Sequence, residues 1–201
     1  MNKKLGYLSS LILALCVILF AVFMIFLPDA YSYLVCIFLS WAYVVLACCY
    51  FIYNHKSAAA LAGVAFACMY AVIIDIVYFT QLTTVMHETA SADVISALSY
   101  AFLGSWMFNL DLFGYGLMAL STLMIGLTLN VTTRKGKWLR NLLLIHGVFV
   151  ISCTLIPMLN LFSKDMMGGD FIGVAVLVFW CAFFTPIALL SSHYFNRDGH
   201  I

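Results

Sequence analysis

Charge is what this sequence has least of. Of its 201 residues only 8% are charged, while 66% are hydrophobic. A soluble domain is about 25% charged and about half apolar. So few charges cannot coat a water-facing surface, which excludes a soluble globular enzyme. Disorder is excluded by the same apolar excess. A formal net charge of +1 leaves no basic footprint for nucleic acid, so no nucleic-acid partner is expected. Catalytic signatures are missing as well. There is no H-E-x-x-H, no G-x-S-x-G and no Walker A pattern, and the chain is read as a non-enzyme. Its seven cysteines all fall in apolar runs, so no disulfide framework is expected. No cofactor is expected, and no metal either, because His146 and Asp111 are placed in opposite halves of the membrane while a metal site needs converging ligands.

What the sequence has is long apolar runs. About 20 mostly apolar residues cross the hydrocarbon core as a helix. Six stretches qualify: 5–26, 31–53, 58–85, 106–129, 138–161 and 171–195. Their length and continuity argue against the short alternating strands of a barrel. The expected fold is therefore an all-α membrane protein, a six-transmembrane-helix bundle forming a single domain over 1–201, with the lipid bilayer as its first partner. The opening Met1-Asn2-Lys3-Lys4 followed by a long run to Pro28 is read as a retained first span.

Positive charge sets the expected orientation. With the N-terminus inside, Lys3, Lys4, Lys56, Arg134, Lys135, Lys137, Arg140 and Arg197 all lie on the cytoplasmic side, and only Lys164 lies outside. This positive-inside bias places both termini in the cytoplasm.

The longest connection, 86–105, separates spans three and four. Ser91 suits a helix N-cap and Asp93 a first turn. Val94, Ile95, Leu98, Phe102 and Leu103 follow a helical apolar pattern. One helix over 92–129 would be about 57 Å long, nearly twice the core thickness. A break near Gly104-Ser105 is therefore expected, with an extra interfacial or re-entrant helix before it. It is read as a cover over the outer face, with a lid as the alternative.

Ionisable groups within spans are costly and tend to face the bundle interior. Asp75 in span three and Asp111 in span four are the two carboxylates of this kind, at comparable depth on consecutive helices. From Asp111 one helical face carries Gly114, Tyr115, Met118, Ser121 and Thr122; from Asp75 the corresponding face carries Cys68, Ala71 and Tyr78. No Lys or Arg sits at matching depth. His146 in span five is a third candidate, as a proton-relay group or as a histidine bonded to one neighbour. Asp75, Asp111, Tyr78, Tyr115, Ser121 and His146 are thus the candidate ligand- or proton-binding residues, for a small solute or cation. The alternative is that both carboxylates are hydrogen-bonding pins in a non-enzymatic accessory protein. Oligomeric state and protein partners are not legible. Pro157 and Pro186 fall within spans five and six, where each removes a backbone donor.

The segments Tyr78-Phe79-Thr80-Gln81-Leu82-Thr83 and Leu110-Asp111-Leu112-Phe113-Gly114-Tyr115-Gly116-Leu117-Met118-Ala119-Leu120-Ser121-Thr122-Leu123 resemble a group of small six-helix bacterial integral membrane proteins without an assigned activity. The resemblance covers most of the chain. It implies a bacterial inner-membrane location and supplies no catalytic or binding residues to carry over.

Overall fold

The computed structural model describes residues 2–27, 29–54, 57–100, 103–162 and 169–197. Every regular element among them is helical: α1 Asn2–Phe26, α2 Asp29–Tyr53, α3 Ala58–Thr80, α4 Ala92–Leu98, α5 Trp106–Thr128, α6 Arg134–His146, α7 Phe149–Met158 and α8 Gly169–Arg197. A π-helical turn, Gln81–Val85, extends α3. Six spans are long and apolar enough to cross a membrane, with α3 and its π turn forming one and α6 and α7 another. The chain is thus an all-helical protein of multi-pass membrane type.

The boundaries follow from local chemistry. The Ser57 hydroxyl accepts from Ala60 N at the start of α3, Ser105 from Phe108 N at the start of α5, and Thr133 from Gly136 N at the start of α6. Each satisfies one of the donors a helix start leaves free. The Thr133 cap starts the fifth span at Arg134, earlier than the expected 138, so Arg134, Lys135, Lys137 and Arg140 lie on the helix itself. That span is interrupted at Gly147-Val148, between α6 and α7. Pro157 lies in the last turn of α7 and Pro186 inside α8.

The spans close into a ring. α1 packs against α2 and α8, α2 against α3, α3 against α5, α5 against α6 and α7, and α6 against α8. The chain ends meet at one end of the ring. A Cβ on Gly6 would lie 2.7 Å from the Phe195 ring, so only glycine admits this approach of α1 to α8. The outer surface is apolar, with Leu8, Leu15, Phe38, Leu61, Phe79 and Ile151 exposed. The interior is comparatively polar: Ser10, Ser40, Asp111, Ser121, Thr122, His146 and Ser191 are buried. This arrangement suits a hydrocarbon solvent. All seven cysteines are free and lie within the spans.

The connection between α3 and α5 differs in detail from the helical pattern expected there. Its helix, α4, ends at Leu98, so Leu103 lies outside it; Phe102 lies outside the described residues. Ser91 holds the N-cap position in extended geometry, but its side chain makes no capping bond. The break falls at Gly104 and Ser105. Gly104 has φ +76°, and a Cβ there would sit 2.7 Å from the Phe162 carbonyl oxygen; both the backbone conformation and the space require glycine. Lys56, Lys164 and Pro28, named above, also lie outside the described residues, as does the side chain of Arg197.

Candidate functional site

Ser105 starts α5 and thereby puts Asp111 in its second turn, facing into the ring. Asp111 is only 1% exposed. Its Oδ2 accepts a hydrogen bond from the Tyr100 hydroxyl at 3.2 Å, while Oδ1 has no hydrogen-bond partner among the described residues. The phenol of Tyr78, from α3, is a further polar neighbour of the carboxylate. Leaving a buried acceptor unpaired costs about 1–3 kcal/mol, more for a charged group. No described lysine or arginine forms an ion pair with it, and none lies within the spans at its depth.

Tyr100 is held in place by Gln81, in the π turn. The Gln81 amide nitrogen donates to the Leu98 carbonyl at 2.9 Å, and its amide oxygen accepts from Tyr100 N at 2.8 Å. Gln81 is 3% exposed. One side chain therefore ties the α4–α5 connection to the bundle and fixes the residue that reaches Asp111. Burial, and next the Asp111 charge, push the Tyr100 phenol well above its ordinary pKa. It keeps its proton and donates.

Above these residues, at the end of the ring away from the chain termini, is a cavity of about 300 Å³. Phe20, Tyr33, Tyr78, Tyr100 and Phe108 supply rings to its wall, and Asp29 and Ser32 supply polar groups. The rings of Tyr33, Tyr78 and Tyr100 lie within 6.0 Å of one another, centroid to centroid. None of the described lining residues is basic. Two of the wall phenols, Tyr78 and Tyr100, also neighbour Asp111.

The other candidates are placed elsewhere. Asp75 is half-buried at the edge of α3 facing α2. Ser40 donates to its Oδ1 and the Trp41 indole to its Oδ2, both at 2.8 Å. Trp41 is 52% exposed, so this pair looks out of the ring, not into it. Asp75 and Asp111 share no hydrogen-bond partner. Ser121 accepts from Tyr43 at 2.8 Å and donates to the Gly63 carbonyl at 2.6 Å, stitching α2, α3 and α5 together. Tyr115 contacts the Cys36 sulfur at 3.9 Å and packs edge-on against Trp180.

His146 is fully buried at the end of α6. Its Nδ1 is 2.8 Å from the Thr122 hydroxyl, and its Nε2 accepts from the Trp180 indole at 3.1 Å. Thr122 donates to the Ala119 carbonyl, so it accepts from the ring, and the proton belongs on Nδ1. Phe183 and Phe184 pack against the same ring. Both nitrogens are occupied, as in a histidine bonded to its neighbours.

Reading the sequence missed Gln81, Tyr100, Tyr33 and Asp29 as parts of one place. The chain matches no protein-family model, no curated protein and no solved structure.

Proposed function

We propose that this is a polytopic, non-enzymatic bacterial inner-membrane protein that binds or transports a small solute or cation, with Asp111 supplying the charge. The observation that carries the reading is the Asp111 carboxylate: buried, with no cationic partner and one oxygen unpaired among the described residues, and bonded through Tyr100 to the wall of a cavity. A bound cation, or a proton exchanged for one, would relieve that unpaired charge. The bias of basic residues supports cytoplasmic termini. With that orientation the cavity opens toward the outer side, and the α3–α5 connection lies over it as an interfacial cover. Asp75, satisfied by Ser40 and Trp41, is a pin between α2 and α3 and takes no part in binding.

Thermal unfolding in detergent tests this. A ligand at 100 times its Kd stabilises the folded state by about 2.7 kcal/mol. Wild type is expected to gain stability saturably from one member of a panel of inorganic and organic cations, and Asp111→Asn to lose that response. A panel without effect, or an identical response in Asp111→Asn, overturns the reading.

A further inference from the structure

The cavity wall carries more information than the carboxylate alone. Water occupies about 30 Å³ per molecule, so a 300 Å³ cavity has the volume of about ten waters. A bare alkali ion would leave nearly all of that space to solvent. The ion would also want several oxygen ligands at short range, as hard cations do, yet much of this wall is aromatic carbon. Tyr33, Tyr78, Tyr100 and Phe108 form a continuous ring cluster, with neighbouring centroids 5.4–6.0 Å apart. Aromatic faces attract weakly hydrated cations within about 6 Å of the ring centroid. Two carboxylates complete the surroundings: Asp29 lies in the wall, and Asp111 lies behind the Tyr100 hydroxyl. Among the described residues, no lysine or arginine lines the cavity to repel a positive ligand.

Resting on the reading of Asp111 as the binding charge, we infer that the cavity takes an organic ammonium ion, a compact alkylated cation held against the Tyr33–Tyr78–Tyr100 rings, with Asp29 in the wall and Asp111 acting from behind Tyr100. The alkyl groups meet the rings and fill the volume. The positive centre is neutralised without being stripped of strong ligands, because an alkylated ammonium holds water loosely. Selectivity against sodium and potassium follows from the shortage of oxygen ligands in the wall.

Calorimetric titration of the purified full-length protein tests this with four probes: choline, its uncharged isostere in which a tert-butyl group replaces trimethylammonium, sodium and potassium. Choline is expected to bind and the other three not to. Tyr33→Leu removes a ring without touching the Asp111 hydrogen bond and is expected to weaken choline binding about three- to thirty-fold. Asp111→Asn is expected to weaken it at least as much, and Asp75→Asn to leave it unchanged. Size-exclusion profiles and melting curves show that each variant is folded. Equal binding of the uncharged isostere, or unchanged affinity in Tyr33→Leu, overturns the inference. Asp111-dependent binding of sodium or potassium without choline overturns it too, while leaving the broader reading of Asp111 in place. No Asp111-dependent binding by any of the four overturns both.

Discussion

The hydroxyl of Tyr100 donates to Oδ2 of Asp111 at 3.2 Å, and so joins a connection outside the spans to a carboxylate inside them. Tyr100 also forms part of the cavity wall. On the proposed reading, a ligand pressing on that ring would act on the bond to Asp111, and a change at Asp111 would reach the connection through the same bond.

Tyr100→Phe keeps the ring and removes the donor. A hydrogen bond to a charged group contributes about 1.5–3 kcal/mol, so binding of the cationic ligand is expected to weaken about tenfold or more. The melting temperature is expected to fall as well, since the buried Oδ2 of Asp111 loses its donor. Titration of the variant beside wild type measures this; equal affinities would mean that the bond does not serve the site.

Gln81→Leu strips two backbone groups, Leu98 O and Tyr100 N, of their partner. The expected cost is about 1–3 kcal/mol, confined to the connection. Hydrogen exchange read by mass spectrometry is expected to quicken in the peptide that contains Tyr100, with α1 and α8 unaffected. Uniform acceleration would show instead that Gln81 supports the whole bundle.

Asp75→Ala removes the acceptor of both Ser40 and Trp41. Side-chain hydrogen bonds between membrane helices average about 0.6 kcal/mol and reach about 1.7. The variant is therefore expected to lose about 1–3 kcal/mol of stability and to blue-shift the fluorescence of Trp41. Cation binding is expected to stay at the wild-type level. Loss of binding in a well-folded Asp75→Ala protein would restore Asp75 to the site.

His146→Phe preserves the stacking on Phe183 and Phe184 but leaves the Trp180 indole and the Thr122 hydroxyl without their nitrogen partners. Thr122 keeps its bond to Ala119, and the unpaired Trp180 indole costs about 1–3 kcal/mol. A lower melting temperature with undiminished cation binding is expected. A folded variant with normal stability but no binding would show that His146 relays protons.

The spans were legible because hydrophobic length alone decides what can cross a bilayer, and caps such as Ser105 and Thr133 refine the starts. Asp111 was legible for the same reason: an isolated carboxylate in an apolar run stands out. The inward face of α3 was legible only in part: Ala71 and Tyr78, read with Asp75, are buried. A carboxylate in a span normally turns inward, which favoured Asp75 and its companion Cys68. Yet Cys68 is exposed, and the buried face carries Tyr70, Ile74, Val77, Tyr78 and Gln81. Ser40 and Trp41 on the next helix supply donors at the rim, so Asp75 has no need of the interior. Gln81 lies about 120° from Asp75 at the helical turn of about 100° per residue, and that angle leads inward once Asp75 is at the edge. Tyr100 and Asp29 were not legible as site residues, because only tertiary folding brings a connection and the start of α2 to the rings of α3.

Difference infrared spectroscopy on protein carrying isotopically labelled aspartate tests the central claim most directly, since it reads a carboxyl group itself. Adding choline is expected to shift an aspartate band, and that shift is expected to persist in Asp75→Asn and to vanish in Asp111→Asn. A spectrum that does not respond to the cation, or a shift that disappears with Asp75 instead, would contradict the assignment of Asp111 as the binding charge.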